Sequence, residues 1–408
     1  MCERILTVMV IMFCLIGCQK SADTYFKPVQ NPPGGLKPEE VPQFVCLGFD
    51  DNSYSGYPGS GSDGGMAWAV QLFANRTNPD GTPCRATFYC PSRFIDPALE
   101  NSGNDSLLKE AWRSAYQAGH EIGLHTHTHP HGCDVAWDKD PPVWRTIMSV
   151  ADWLPEIEKN ITFLTKPYEP SASEPDAWGP GVAKNDIVGF RTPYLEFNNA
   201  TFEALCKQGT ILYDCSIEEG YEEDQDGTNL FWPYQLDKGS PVADATFASS
   251  FSGREIIGSY PGLWEMPAYC MFAPDDGQCE NYGLKPGFRD ELKKRFDYFN
   301  PADGKITGFD WNLWVEYSMT GEEVEAVLKY TLDQRLRGNR APFTVGLHSD
   351  IYCNRYKENN DGDNQIAAHY KESQKAIENF IDYALSKKEV RIVAAKAVVA
   401  WMQEPKPL

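Results

Sequence analysis

Four of the chain's seven histidines fall in one short run, His125-Thr126-His127-Thr128-His129-Pro130-His131. His125 and His129 stand four residues apart, so their imidazoles can face one ion if the segment turns helically, and imidazole nitrogen suits a divalent cation such as zinc. An acidic pair, Asp50-Asp51, closes the apolar run Phe44–Phe49. Asp51 would complete a set of two nitrogens and one oxygen with coordination to spare, the layout of catalytic rather than structural zinc. Asp50 would then be free to accept a proton from an attacking water. A histidine cluster alone also binds adventitious metal or lines a polar loop, and paired acids also make solvated turns. Unpaired charge at the end of an apolar run is costly, however, which favours a built site.

The elements that must position these groups are short apolar runs. Gln43–Phe49, Arg85–Cys90, Glu121–Leu124, Asp186–Phe190, Ile211–Tyr213, Leu263–Met266, Phe343–Leu347 and Val390–Val393 read as strands. Helical stripes lie between them: Leu107, Leu108, Trp112 and Tyr116 with Gly119 behind, then Ile147 to Leu164, Val324 to Leu332 and Ile377 to Leu385. Pro155 should break or kink the second stripe. The alternation predicts a parallel α/β architecture. Chemically capable residues follow the strands in turn: Asp50-Asp51, His125, Arg191, Asp214 and His348. In a parallel barrel the C-terminal strand ends converge on one face, so distant parts of the chain can build a single site there. The stretch from about Glu218 to Trp314 is rich in loops and aromatics and reads as elaboration of the same domain.

Composition sets the class. The chain has 408 residues, 42% hydrophobic and 23% charged, with 33 Gly and 29 Pro, enough apolar material for a core. Lys and Arg number 37 against 58 Asp and Glu, a net charge of −21. Nucleic acid and anionic membrane surfaces are poor partners for such a chain, because binding phosphate needs clustered cations. No P-loop, nucleotide fingerprint or nucleophile elbow is present.

Five segments in order, Gly48-Phe49-Asp50-Asp51-Asn52, His125-Thr126-His127-Thr128-His129-Pro130, Arg191-Thr192-Pro193-Tyr194, Tyr213-Asp214-Cys215-Ser216 and Leu347-His348, resemble the motifs of the polysaccharide deacetylases (carbohydrate esterase family 4, the NodB-homology domain). Asn78-Pro79-Asp80-Gly81, Trp232 to Asp237, Pro261 to Pro267 and Asn339 to Phe343 look most like chitin deacetylases. The resemblance implies a distorted (β/α) barrel with loop-rich insertions. It implies that Asp51, His125 and His129 bind a divalent metal, usually zinc. Asp50 would be the general base and His348 the general acid. Arg191 would orient Asp50, Asp214 would tune His348, and the backbone N–H of Tyr194 would help bind the oxyanion. Leu347 would lie beside the acetyl methyl, with Pro193 also against the substrate. Trp232, Trp264 and Trp311 could stack on sugar rings or fill the core. Gly48 and Asn52 depart from the Thr and Gly usual at those places and are read as altering loop shape. His127 is expected to be a subsite contact or a spectator, with His120 and His131 structural.

The implied reaction is removal of N-acetyl groups from a GlcNAc polymer of the chitin type. Peptidoglycan, an O-acetylated glycan such as xylan, and a glycan-binding lipoprotein with a decayed site are the other readings. Residues 1–17 read as a lipoprotein signal peptide: Ile5 to Gly17 is too short to span a bilayer, and Leu15-Ile16-Gly17-Cys18 resembles a lipobox. Lipidated Cys18 and residues 19–40 would tether a catalytic domain, 41–408, to the membrane at the cell envelope, outside the cytoplasm. Nine cysteines remain beyond Cys18, an odd number, with Cys270 and Cys279 close enough to staple a loop and the other pairings unreadable. Asp224 to Gly227 and Asn360 to Asp363 look like acidic turns rather than calcium loops.

Overall fold

A computed structural model describes residues 26–99, 105–136, 143–172, 174, 177–241, 257–357 and 365–408. The expected signal segment with Cys18, and the stretch 360–363 expected to be an acidic turn, lie outside the described residues. No helix among those described is long and apolar enough to cross a membrane.

Nine strands form one curled sheet: β1 (Gln43–Asp50), β2 (Thr87–Cys90), β3 (Glu121–Leu124), β4 (Gly189–Phe190), β5 (Tyr213–Asp214), β6 (Tyr234–Gln235), β7 (Trp264–Glu265), β8 (Phe343–His348) and β9 (Val390–Ile392). Their order is β8-β1-β2-β3-β4-β5-β7-β6, with β9 beside the first half of β1, and every ladder is parallel except β6 with β7. All eight strands read from the sequence are present, and the expected α/β class holds. The sheet stays open, since no ladder joins β6 to β8 among the described residues. Instead, Phe309 bridges to Gly346 on the outer edge of β8. The antiparallel strand β6 was not legible, because two residues at a sheet edge leave no alternation to detect.

Period-two alternation decides which residues reach the interior of the curl. Val45, Leu47 and Phe49 of β1 and Phe343, Val345 and Leu347 of β8 pack in the larger core cluster, with the helices. Phe44 and Cys46 belong instead to a second cluster with Tyr89, Tyr213, Trp232 and Trp264. Gly48, Asp50 and His348 follow the parity of this second set. The helices against the sheet include α1 (Gly65–Ala74), α2 (Asp105–Gln117), α3 (Val150–Thr165), α4 (Asn199–Gln208), α5 (Phe288–Arg295), α6 (Gly321–Arg337), α7 (Tyr370–Leu385) and α8 (Ala395–Gln403). The stripes of α6 and α7 are buried as their spacing predicts. Pro155 does not break α3, which runs through it from the N-cap Ser149; early in the helix, with its ring exposed, Pro155 removes one backbone donor and little else.

All nine cysteines among the described residues are free thiols, and only Cys206 is exposed. The expected Cys270–Cys279 staple is absent: Cys270 Sγ donates to the Gly220 carbonyl and Cys279 Sγ to that of Pro274. Asp224 to Gly227 is a turn, in which Asp226 accepts from the backbone N–H and hydroxyl of Thr228.

Candidate active site

Parallel pairing places Asp50, the last residue of β1, level with His348, the last residue of β8. Asp50 is almost fully buried and accepts from Arg191 Nη1 at 2.7 Å. Arg191, just after β4, also donates from Nε to the Cys215 carbonyl at 3.0 Å and from Nη2 to Cys215 Sγ at 3.1 Å. Its guanidinium lies 4.3 Å from the centre of the Tyr89 ring. A Cβ on residue 48 would come within 3.0 Å of both terminal nitrogens of Arg191. Gly48 therefore leaves the space that the guanidinium fills. Burial raises the Asp50 carboxyl to about 6, against the opposing pull of Arg191 and His348.

Asp51, His125 and His129 bring one donor atom each to within 4.8 Å of one another. Asp51 Oδ1 lies 3.2 Å from His129 Nε2 and 3.9 Å from His125 Nε2. That oxygen is buried and has no hydrogen-bond partner. His125 Nδ1 is held by the Arg191 carbonyl at 2.8 Å, which fixes the ring with Nε2 turned to the cluster. Burial, with His129 next in effect, lowers His125 to about 3; burial also lowers His129, so both rings are neutral at neutral pH. Two neutral imidazoles and an orphaned carboxylate oxygen are a donor set that fits a divalent cation. The local backbone is strained in keeping with a built site: Asp51, Asn52, Thr126 and His129 all have positive φ, between 57° and 65°. Asn52 tolerates this conformation, and its amide donates to the Phe49 and Tyr89 carbonyls.

His348 is held by a residue the sequence reading did not single out. Its Nδ1 lies 2.7 Å from Asp310 Oδ1, and its backbone N–H donates to Asp310 Oδ2 at 2.9 Å. Burial opposes the imidazolium, but Asp310, with Asp51 and Asp50, outweighs it and raises His348 to about 10. Asp214, expected in this role, is not the partner. It sits level with Glu265 in the β5–β7 ladder, and Ser216 donates to both its oxygens at 2.8 Å. Asp310 opens a short helical turn that runs on into the π-helix Asn312–Glu316, too short for a periodic pattern, and its one sequence signal is the tripeptide Gly308-Phe309-Asp310, which repeats Gly48-Phe49-Asp50.

The proposed substrate contacts divide. Tyr194, at φ +55°, packs its ring 4.6 Å from His129 and stacks on His131 at 4.0 Å, leaving it 51% exposed. Trp311, next to Asp310, is 36% exposed. Trp232 and Trp264 are core residues: Trp232 stacks on Trp401, and Trp264 packs against Phe26. Pro193 is buried, and Leu347 has no exposed surface because its parity on β8 turns it toward the helix layer. His127 is a buried spectator between Ser92 and Asp96 rather than a subsite contact. His120 accepts the backbone N–H of Ala86 within the core, a structural role.

No family model matches the chain. It is 21% identical to Chitin deacetylase 1 of Bombyx mori over 379 residues, 92% of this chain and 53% of that protein. It is 21% identical to Chitin deacetylase 8 of Bombyx mori over 378 residues, 93% of this chain and 75% of that protein. The chain thus spans about half the length of the first of these relatives. Among solved structures, the family 4 carbohydrate esterase from Streptomyces lividans in complex with acetate is 17% identical, covering 65% of this chain and 97% of that one, with a TM-score of 0.26. A mutant of the peptidoglycan deacetylase PdaC from Bacillus subtilis is 11% identical, covering 90% of this chain and 95% of that one, at a TM-score of 0.35. The likeness to the polysaccharide deacetylases that the five motifs carry is borne out by chitin deacetylase relatives aligned over nine-tenths of the chain.

Proposed function

We propose that the protein is a metal-dependent hydrolase that removes N-acetyl groups from a GlcNAc polymer of the chitin type. The observation that carries this reading is the level pairing of Asp50 with His348, one poised to take a proton and the other to give one, beside the Asp51–His125–His129 donor set. An amide resists hydrolysis because its carbonyl is a poor electrophile and its amine a poor leaving group. A divalent cation, when bound, supplies the Lewis acidity that answers the first difficulty. Asp50, held on one oxygen by Arg191, takes the proton of the attacking water as its oxygen bonds to the carbonyl carbon. Asp310 holds Nδ1 of His348, so Nε2–H is the proton delivered to the nitrogen as the C–N bond breaks. Acetate and a free amine result. Tyr194 and Trp311 offer exposed rings on which a sugar can stack.

The lipobox-like Leu15-Ile16-Gly17-Cys18 supports a lipid-anchored location at the cell envelope. Acetate release is to be measured across chitooligosaccharides, peptidoglycan and acetylxylan, with zinc and after chelation. We expect the chitin oligomers to turn over fastest and chelation or H348A to abolish turnover. Release that survives both treatments overturns the mechanism, and faster turnover of acetylxylan overturns the substrate.

A further inference from the structure

The backbone that carries the histidines has no regular structure to hold it. Thr126 and His129 both have positive φ, a conformation that a β-branched threonine resists. Such a segment keeps its shape only if its polar groups are tied to something rigid.

Four of the ties come from one face of α3. Asn160 Oδ1 accepts the backbone N–H of His125 at 3.2 Å, while its Nδ2 donates to the Cys90 carbonyl at 3.0 Å. One turn earlier, Glu156 Oε2 accepts the N–H of His127 at 2.9 Å and that of Thr128 at 2.7 Å. Its Oε1 accepts the Thr128 hydroxyl at 2.9 Å. Asn160 is buried, as are Trp153, Ile157, Ile161 and Leu164, so this helix has little freedom to shift. Residues four apart on a helix share a face, which lets the pair span the loop from His125 to Thr128. Arg93 Nη1 donates to the Thr128 carbonyl at 3.0 Å.

We propose that Glu156 and Asn160 are positioning residues, which set the spacing of His125 and His129 and thereby the affinity of the divalent-cation site. The inference rests on the metal-binding reading above. Neither residue belongs to the Asp51–His125–His129 donor set. Asn160 fixes the backbone donor of His125 itself and Glu156 those of His127 and Thr128 between the two ligands, and a carboxylate accepting two N–H groups and a hydroxyl is a strong tie of this kind.

The test is zinc affinity of the full chain by competition with a chromogenic chelator, together with amide hydrogen exchange on the metal-free protein. E156A is expected to weaken zinc by about 10- to 100-fold, the usual range for groups that orient ligands. Exchange at His127 and Thr128 should quicken in the same variant, and N160A should quicken it at His125. E156Q keeps an acceptor in place and should recover most of the affinity, which a loss of general stability would not explain. Should E156A fail to fold, T128A removes only the hydroxyl tie and should weaken zinc in the same direction by a smaller factor. Wild-type zinc affinity and exchange in E156A, or wild-type affinity in T128A where E156A does not fold, overturns the proposal and leaves the metal reading standing. A wild-type chain that binds no divalent cation overturns the metal reading itself, and the affinity claim with it.

Discussion

Asp310 holds His348 twice, by the ring at 2.7 Å and by the backbone at 2.9 Å, from the start of a short helical turn just after the Phe309–Gly346 bridge. The carboxylate both fixes the tautomer and favours the charged ring, so the imidazole is a stored proton at neutral pH.

Replacing Asp310 by Asn keeps the shape and removes the charge. Burial then acts on His348 with less opposition, so its pKa falls toward or below the ordinary 6.5. The expected result is a loss of about 10²-fold or more in kcat, the scale of general acid catalysis. The alkaline limb of the pH–rate profile should also move to lower pH. A D310N enzyme with an unmoved alkaline limb would show that Asp310 does not govern the acid.

The wild-type profile should be bell-shaped. Asp50 must be deprotonated to act, so kcat/KM should rise through about pH 6. His348 must be protonated to act, so the rate should fall through about pH 10. D50N should remove activity at every pH, since an amide cannot take the proton. Steady-state rates on a soluble chitooligosaccharide, from pH 4 to 11, check both limbs.

G48A tests the space around Arg191. The added methyl would press on both guanidinium nitrogens and on Tyr89 Cε2, at 3.0 to 3.1 Å. Displacing Arg191 moves Asp50, and a misplacement of about 1 Å at a reacting group can cost 10²-fold. We expect a loss of kcat on that order with a cooperative melt retained; wild-type kcat would show that Arg191 need not sit there.

The tryptophans should separate by readout. W264A removes a fully buried ring and should cost about 3–5 kcal/mol of stability. W311A touches a half-exposed ring beside Asp310 and should raise KM while changing the melting temperature little. Denaturant unfolding and Michaelis–Menten kinetics on the two variants decide the matter.

The sequence by itself determined the eight strands with clear apolar runs, the core stripes of α6 and α7 and the cluster of Asp51, His125 and His129, whereas Ile147, read as the start of another stripe, is exposed ahead of α3. These were legible because local period and strand-end position are written in consecutive residues. It also indicated that Arg191 meets Asp50, through the resemblance of the motifs. Only the tertiary structure decided that Asp310, not Asp214, holds His348, that Trp232 and Trp264 are core, and that Leu347 faces the helices. Those outcomes depend on which distant segment comes to lie against the edge of β8 and on which side of a curled sheet each parity falls. Neither is encoded in the spacing of neighbouring residues, because a strand's two faces become inside and outside only when the whole sheet has curled around its core.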